Sequence, residues 1–168
     1  MEVGIFCAFS EATPPDMIAA QARAVEERGF QALWVPEHVV LFKDYESQYP
    51  YAKDGRLPGF GNGMMEPFTA LTFCAAHTRT VRLGTSICLV PQRNPVYTAK
   101  QIADLDFLSG GRVNFGVGIG WLREEFNALQ VPWPKRALRT RDHIAVMKAL
   151  WCEEVSSYEG ELYSCLLY

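Results

Sequence analysis

Leu105–Trp121, with the sequence LDFLSGGRVNFGVGIGW, is the stretch that decides the predicted fold. Its first half predicts the end of a helix, because the apolar positions stop at Ser109-Gly110-Gly111 and glycine commonly follows the last turn of a helix. Its second half, Val113–Ile119, predicts a short buried strand that contains alternating glycines. A helix that leads through a short turn into a buried strand is the repeating unit of parallel α/β proteins.

The same alternation extends over the rest of the chain. Further extended segments are predicted at Val3–Cys7, Ala32–Pro36 and Val81–Val90, with a terminal hairpin at Val155–Tyr163. Helix starts are predicted at Thr13-Pro14, Glu66-Pro67 and Asn94-Pro95, with Thr13 and Asn94 as caps. The apolar face of a long last helix is predicted at Ala137, Ile144, Met147 and Trp151. The order β-α-β-α-β-α-β-α predicts a parallel sheet covered by helices, either a small open sheet or half of a closed barrel.

Composition and charge exclude several classes of partner. A chain of 168 residues allows one ordinary domain, which we expect to span residues 1–168. A net charge of −3 without basic runs argues against nucleic acid and anionic membrane surfaces. No apolar stretch approaches the about 20 residues of a membrane span, and Met1–Ser10 lacks the pattern of a signal peptide. Five cysteines without a C-x-x-C motif predict reduced thiols in a cytoplasmic protein, with neither disulfides nor a metal site.

Three unusual clusters follow the second, third and fourth predicted strands. They are Glu37-His38, Gly84-Thr85-Ser86-Ile87 and Gly116-Val117-Gly118-Ile119-Gly120-Trp121. Ligands of parallel α/β proteins collect at the carboxyl ends of the strands. The shared position of the clusters is therefore the main evidence in the sequence for a functional site.

Each cluster has a functional and a structural interpretation. His38 can exchange a proton beside a carboxylate, or the Glu-His pair can be an ordinary strand end. The small residues at 84–87 leave room for a flat ligand or a strained backbone, or they pack tightly inside a barrel. The alternating glycines let backbone amides approach a ligand, or they allow a strand to pack closely on a helix.

Motifs of other chemistries are absent from the sequence. The G-x-G-x-G pattern follows the fourth strand and lacks the spacing of a dinucleotide-binding fingerprint. Neither a nucleotide P-loop nor the G-x-S-x-G and H-E-x-x-H motifs of hydrolases and metalloenzymes occur. An enzyme that takes its chemistry from an organic redox cofactor fits best, since such a protein supplies placement and shape.

These motifs resemble the luciferase-like monooxygenase superfamily, and most closely its branch that uses the deazaflavin coenzyme F420. The resemblance runs from about Val3 to Tyr163. It is carried by Trp34-Val35-Pro36-Glu37-His38, Leu83-Gly84-Thr85-Ser86-Ile87, Arg93-Asn94-Pro95, Ala99-Lys100-Gln101, the 105–112 and 116–121 segments, Glu124-Glu125-Phe126 and Tyr158-Glu159-Gly160. The resemblance implies an α/β fold of the (β/α)8 TIM-barrel type, truncated to about four βα units.

The resemblance also implies residue roles. His38 matches a catalytic histidine near the reactive face of the deazaflavin ring, and Glu37 matches a neighbour that helps to bind the cofactor. Ser86 and Ile87 match a non-proline cis peptide that backs the ring. The end of strand four, which lines the cofactor cleft, is matched by Gly116, Gly118 and Gly120. The implied reaction is hydride transfer between coenzyme F420 and a small organic substrate.

The chain departs from the family pattern at two residues and in its length. Trp121 stands where some deazaflavin dehydrogenases carry an acidic glutamate, so that role is not carried over. Ile119 stands where flavin-using luciferases carry an arginine near the cofactor phosphate, which weighs against FMN. Family members are usually much longer, and this chain ends near the expected start of strand five. Open strand edges therefore predict a homodimer or a higher oligomer.

Three functions remain open from the sequence. The first is an oxidoreductase that uses coenzyme F420. The second is an FMN-dependent monooxygenase. The third is an inactive truncated half-barrel that serves as an association partner, since intact site motifs indicate a catalytic ancestor but do not establish present activity.

Overall fold

The computed structural model describes residues 1–58, 63–152 and 157–166. Strands and helices alternate there in the predicted order. Their bounds are β1 Gly4–Phe6, α1 Pro15–Glu27, β2 Ala32–Val35, α2 Pro67–Ala76, β3 Arg82–Thr85, β4 Cys88–Leu89, α3 Pro95–Ser109, β5 Val113–Asn114, β6 Val117–Gly118, α4 Arg123–Ala128, α5 Arg136–Cys152, β7 Ser157–Glu159 and β8 Ser164–Leu166. The predicted α/β class is confirmed.

A parallel four-stranded sheet has the order β1-β2-β3-β5. Gly4 pairs with Ala32, Leu33 pairs with Leu83, and Leu83 pairs with Val113. The spatial order of these strands follows the chain order, as in the predicted series of βα units. Separately, β4 pairs with β6, and β7 pairs with β8 in antiparallel orientation.

The chain contains two compact units. The first comprises Met1–Leu41, Gly59–Cys88 and Asp104–Val117. The second comprises Phe42–Pro58, Leu89–Ala103 and Gly118–Tyr168. The expectation of a single domain over residues 1–168 stays a prediction.

Helices α1 and α2 cover one face of the sheet in the first unit, where both contact β2. The buried residues of α1 are apolar and include Ile18 and Ala22. Leu33, Leu71 and Leu83, from β2, α2 and β3, are fully buried. Removal of these apolar side chains from water supplies the main stabilisation of the unit.

Trp34 lies on the opposite face of the sheet and spans three strands. A Cβ atom at Gly4 on β1 would collide with one end of its indole, and a Cβ atom at Gly84 on β3 would collide with the other end. Glycine is therefore needed at both positions, because the indole approaches both backbones closely. The room that Gly84 leaves is filled by a side chain of the same unit, in agreement with the tight-packing interpretation.

Arg112 joins the start of β5 to the segment between α2 and β3. Its buried guanidinium donates to the carbonyl oxygens of Val81, Ala75 and Thr78 at 2.8 to 3.3 Å, and its Nε donates to the Ser109 carbonyl at 2.7 Å. Burial lowers the pKa of Arg112 because desolvation disfavours its charge. The planar fork satisfies several carbonyl groups that would otherwise lie buried without donors.

The predicted helix starts at Glu66-Pro67 and Asn94-Pro95 are confirmed. The predicted cap at Thr13 is wrong, because α1 begins at Pro15 with Pro14 before it. The Thr13 hydroxyl instead accepts a hydrogen bond from the Ser10 amide at 3.3 Å. A local hydrogen bond in the preceding turn thus competes with capping of the helix.

The predicted third and fourth strands are each interrupted, so their continuous form was wrong. Val81–Val90 becomes β3 and β4, and Val113–Ile119 becomes β5 and β6. The ladder between β3 and β5 ends at the pair Gly84 and Asn114. Beyond that pair, the side chain of Thr85 makes the next hydrogen bonds, so regular pairing stops.

The predicted face of α5 in the second unit is wrong at two of its four positions, since Met147 is buried and Ile144 is half-buried as expected. The buried positions are Thr140, Asp142, His143, Val146 and Met147, whereas Ala137 and Trp151 are exposed.

The Asp142 carboxylate accepts hydrogen bonds from the Leu162 amide at 2.8 Å and the Tyr158 hydroxyl at 3.1 Å. Burial opposes the ionisation of Asp142, but these bonds outweigh it and lower the pKa. Anchoring of the hairpin therefore turns a polar face inward. Residues 155 and 156 of the predicted hairpin lie outside the described residues.

Glu124 fixes the irregular segment Phe42–Pro58 of the second unit. Its carboxylate accepts from the amides of Glu46 and Ser47 at 2.7 and 3.1 Å, and from the Ser47 hydroxyl at 2.7 Å. Burial by itself raises the pKa of Glu124, but these hydrogen bonds outweigh it and lower the pKa to about 2. The charged carboxylate is thus the form that holds the segment.

Replacement of Arg112 by methionine should lower the free energy of unfolding by roughly 3 kcal/mol, because several buried carbonyl groups lose their donor. Urea unfolding followed by circular dichroism measures the change. The matched control is Arg79→Met at an exposed arginine. Equal stabilities of the two variants would show that the guanidinium contributes nothing beyond its bulk.

Glu124→Gln should lower the melting temperature at pH 7, because the neutral glutamine side chain accepts weaker hydrogen bonds from the backbone N–H groups of Glu46 and Ser47 than the carboxylate does. A depressed folded-state pKa gives stabilisation that is present above the ordinary glutamate value of 4.5 and lost as the pH falls toward about 2. The difference in melting temperature between native protein and variant should therefore shrink over that range. Glu11→Gln, at an exposed carboxylate, is the control and should show no such trend.

Candidate functional site

The carboxyl ends of three neighbouring strands in the first unit carry five of the expected site residues. Glu37 and His38 follow β2, Ser86 and Ile87 follow β3, and Gly116 follows β5. Because β2, β3 and β5 are adjacent and parallel, these residues lie at the same edge of the sheet. Glu37 and His38 are buried, with 4% and 9% of their surfaces exposed.

The peptide bond between Ser86 and Ile87 is cis, as the resemblance implied. The Ser86 amide donates to the Val35 carbonyl at 2.7 Å, and the Cys88 amide donates to the Gly116 carbonyl at 2.8 Å. The Ile87 side chain remains 38% exposed between these two anchored positions. An apolar side chain therefore stands open at the edge that also carries Glu37 and His38.

Thr85 binds Gly116 through two reciprocal hydrogen bonds. Its hydroxyl donates to the Gly116 carbonyl at 2.7 Å and accepts from the Gly116 amide at 3.1 Å. A Cβ atom at Gly116 would collide with the Thr85 carbonyl oxygen. Position 116 therefore requires glycine for packing within the unit, and sequence reasoning did not identify Thr85 as its partner.

Gly118 and Gly120 belong to the second unit. Gly120 has a φ of +79°, a conformation that favours glycine, and a Cβ atom there would lie 2.7 Å from the Phe126 ring. Its carbonyl accepts from Nε of Arg136 at 3.2 Å. Turn geometry and close packing thus account for this glycine, in agreement with the packing interpretation.

An aromatic cluster forms around Trp121 in the second unit. The rings of Tyr45 and Tyr49 contact the indole edge-on at centroid distances of 5.6 and 5.2 Å. Glu124, three residues after Trp121, holds the backbone between the two tyrosines. The sequence marked Trp121 as the last residue of the third cluster and as a departure from the family pattern, and no local signal linked it to the 42–58 segment.

The other two histidines and the buried Cys74 have structural environments. His143 is buried with Nδ1 at 3.2 Å from the Val90 carbonyl, and burial lowers its pKa because the charged ring is disfavoured. His77 packs against Phe73 at a centroid distance of 4.7 Å. Burial raises the pKa of the Cys74 thiol to about 12, so this thiol does not ionise near neutral pH.

Among residues 1–58, 63–152 and 157–166, His, Cys, Asp and Glu do not form a group of three that could hold a metal ion. Within the same described part of the chain, every helix is too short or too polar to cross a bilayer.

Comparison with known proteins identifies the family. The model of the luciferase-like monooxygenase family matches residues 1–165. An uncharacterised protein of Mycobacterium tuberculosis (strain ATCC 25618 / H37Rv) is 37% identical over 144 residues, which cover 85% of this chain and 51% of that protein. The F420-dependent glucose-6-phosphate dehydrogenase of Kineococcus radiotolerans is 30% identical over 161 residues, which cover 94% of this chain and 43% of the enzyme.

A solved structure shares the fold. The oxygenating constituent of 3,6-diketocamphane monooxygenase from Pseudomonas putida, solved in complex with FMN, superposes with a TM-score of 0.78 at 17% identity. The superposition covers 100% of this chain and 44% of that chain. This chain thus spans about half the length of the curated relatives it matches. Since the family model matches nearly every residue, the chain belongs to the luciferase-like monooxygenase family.

Proposed function

We propose that this chain supplies the cofactor-binding half of an oxidoreductase that transfers hydride between coenzyme F420 and a small organic substrate. One observation carries the proposal: Glu37, His38, Ser86-Ile87 and Gly116 meet at the carboxyl edge of three adjacent parallel strands. Similarity to an F420-dependent dehydrogenase supports the choice of cofactor. The reaction of the full-length protein is part of this proposal, because this chain spans about half the length of such relatives.

The residues at this edge fit a flat, partly polar ring. Ile87 offers an exposed apolar side chain, while Glu37 and His38 offer a carboxylate and an imidazole from the adjacent strand. Ligand sites generally combine apolar surface with a few placed polar groups. This composition is compatible with the ring of a deazaflavin.

Each expected residue receives a role in the proposal. His38 is the catalytic residue, which holds or moves a proton at its imidazole near the reactive face. Glu37 helps to bind the cofactor, and Ser86 and Ile87 back the ring. Coenzyme F420, when bound, supplies a hydride donor or acceptor at its central ring carbon. The family pattern alone assigns contact with the cofactor to Gly116, Gly118 and Gly120.

The second candidate is an FMN-dependent monooxygenase. It is favoured by the fold shared with a monooxygenase that was solved with FMN. Ile119, which replaces the arginine expected near a flavin phosphate, weighs against it. The third candidate, which the sequence left open, is an inactive half-barrel that serves as an association partner.

The proposal also covers location and assembly. Free thiols at all five cysteines favour the cytoplasm. A homodimer or higher oligomer is expected because the outer strands β1 and β5 of the sheet each pair on one side only in the described structure.

Titration of the purified chain with coenzyme F420, and separately with FMN, tests the proposal through cofactor fluorescence. Saturable F420 binding is expected, and His38→Ala should weaken it by at least about tenfold, the effect of losing one good polar contact. His77→Ala, at a histidine outside the candidate site, is the matched control and should bind like the native chain. Gly118→Trp should also weaken binding if strand four lines the cleft.

The outcomes separate the three candidates. Preference for FMN would replace the F420 assignment with the monooxygenase. If a folded sample binds neither cofactor, the remaining candidate is the half-barrel that serves as an association partner. Equal binding by the His38 and His77 variants would remove His38 from the site.

A further inference from the structure

The glycine turn that follows β6 is held by the first residue of α5. Gly120 has a φ of +79°, and its carbonyl accepts a hydrogen bond from Nε of Arg136 at 3.2 Å. Glycine reaches many backbone conformations at little cost, so Gly120 alone would let the peptide unit between it and Trp121 rotate. A donor at the carbonyl selects one orientation of that unit, because a planar peptide rotates as a whole.

Trp133 orders the guanidinium of Arg136. The Cζ atom of Arg136 lies 3.9 Å from the centroid of the indole ring, so the cation stacks on the aromatic face. Pro132 and Pro134 flank Trp133 and restrict its backbone. The indole also meets the buried Phe126 ring edge-on at a centroid distance of 5.1 Å. The donor is thus held in place by packing as well as by its hydrogen bond.

Buried side chains confine the same turn at the Cα atom of Gly120. A Cβ atom there would lie 2.7 Å from the Phe126 ring and 3.7 Å from Nε2 of Gln92. Nε2 of Gln92 donates to Oε2 of Glu125 at 3.0 Å, and Glu125 is fully buried. Packing therefore fixes where Gly120 lies, while Arg136 fixes the direction of its carbonyl. All of these residues belong to the second unit.

We propose that Arg136 is a positioning residue for the cofactor, because its hydrogen bond holds the turn at Gly120 in the orientation that accepts the cofactor. This inference rests on the proposed function, in which Gly118 and Gly120 line the cofactor cleft. Arg136 acts through the backbone of Gly120. Without the hydrogen bond the turn divides between two peptide orientations, and the apparent affinity falls in proportion to the competent fraction.

Nitrogen-15 relaxation of the cofactor-free chain tests the ordering of the turn. The N–H of Trp121 belongs to the same peptide unit as the Gly120 carbonyl, so its amide signal reports rotation of that unit. In the native chain we expect an order parameter near the rigid value of about 0.85. Arg136→Met should lower this order parameter or broaden the signal by exchange.

The matched control for this measurement is Arg139→Met. Arg139 lies on the same helix, and its Nη1 donates to the Pro132 carbonyl at 2.7 Å instead of to the glycine turn. The amide of Trp121 should therefore stay ordered in this variant. An ordered Trp121 amide in Arg136→Met, or equal disorder in both variants, would overturn the proposal.

Titration with coenzyme F420 tests the consequence for the cofactor. Arg136→Met should raise the dissociation constant by at least about tenfold, as expected when about a tenth of the molecules keep the competent turn. Arg139→Met should bind like the native chain. Arg136→Lys restores a donor and should recover most of the loss, which general destabilisation would not produce, since both replacements remove the guanidinium. An Arg136→Lys variant as weak as Arg136→Met, or an Arg136→Met variant that binds like Arg139→Met, would overturn the proposal.

The two measurements separate this inference from the proposed function. Failure of the native chain to bind coenzyme F420 would contradict the proposed function, and the role of Arg136 toward the cofactor would fall with it. An ordered Trp121 amide in Arg136→Met would contradict this inference alone, because that measurement contains no cofactor.

Discussion

The hydroxyl of Thr85 makes the two hydrogen bonds on which the geometry beyond the sheet depends. It donates to the carbonyl of Gly116 and accepts from the amide of the same residue, so one side chain replaces a rung of the ladder where β3 and β5 stop pairing. The backbones are then so close that only glycine fits at 116. Ser86 and Ile87 therefore leave the sheet from a fixed point, which defines the edge where His38 also lies.

Carboxylates that accept hydrogen bonds from backbone amides occur repeatedly where helices and strands end. In the first unit, Glu26 accepts hydrogen bonds from the backbone amides of the segment after α2. Asp106 accepts a hydrogen bond from the Val113 amide of β5. In the second unit, Glu124 holds the 42–58 segment and Asp142 holds the terminal hairpin. Amides outside helices and sheets need acceptors, and an ionised carboxylate is a strong one. The irregular segments thus owe their positions to charge as much as to apolar packing.

Local patterns predicted the order of the elements, while contacts between distant residues stayed hidden. The starts at Glu66-Pro67 and Asn94-Pro95 are short-range signals, and the strand-end rule correctly brought His38 and Ser86-Ile87 to one edge. The cis peptide came from family resemblance, since no periodicity encodes it. The link between Glu124 and Ser47 could not be predicted, because 77 residues separate the partners. The face of α5 was misassigned because Asp142 turns inward to bind the hairpin, against the rule that charged residues face water.

Trp34 has a consequence for how this sequence can change over generations. Its indole occupies the space of absent side chains at both Gly4 and Gly84, so three positions far apart in the chain share one volume. Enlargement of either glycine is tolerated only after the indole has been replaced by something smaller, and a smaller residue alone leaves a gap. Viable lineages must therefore alter these positions as a coupled set, and the order in which substitutions arrive decides which survive.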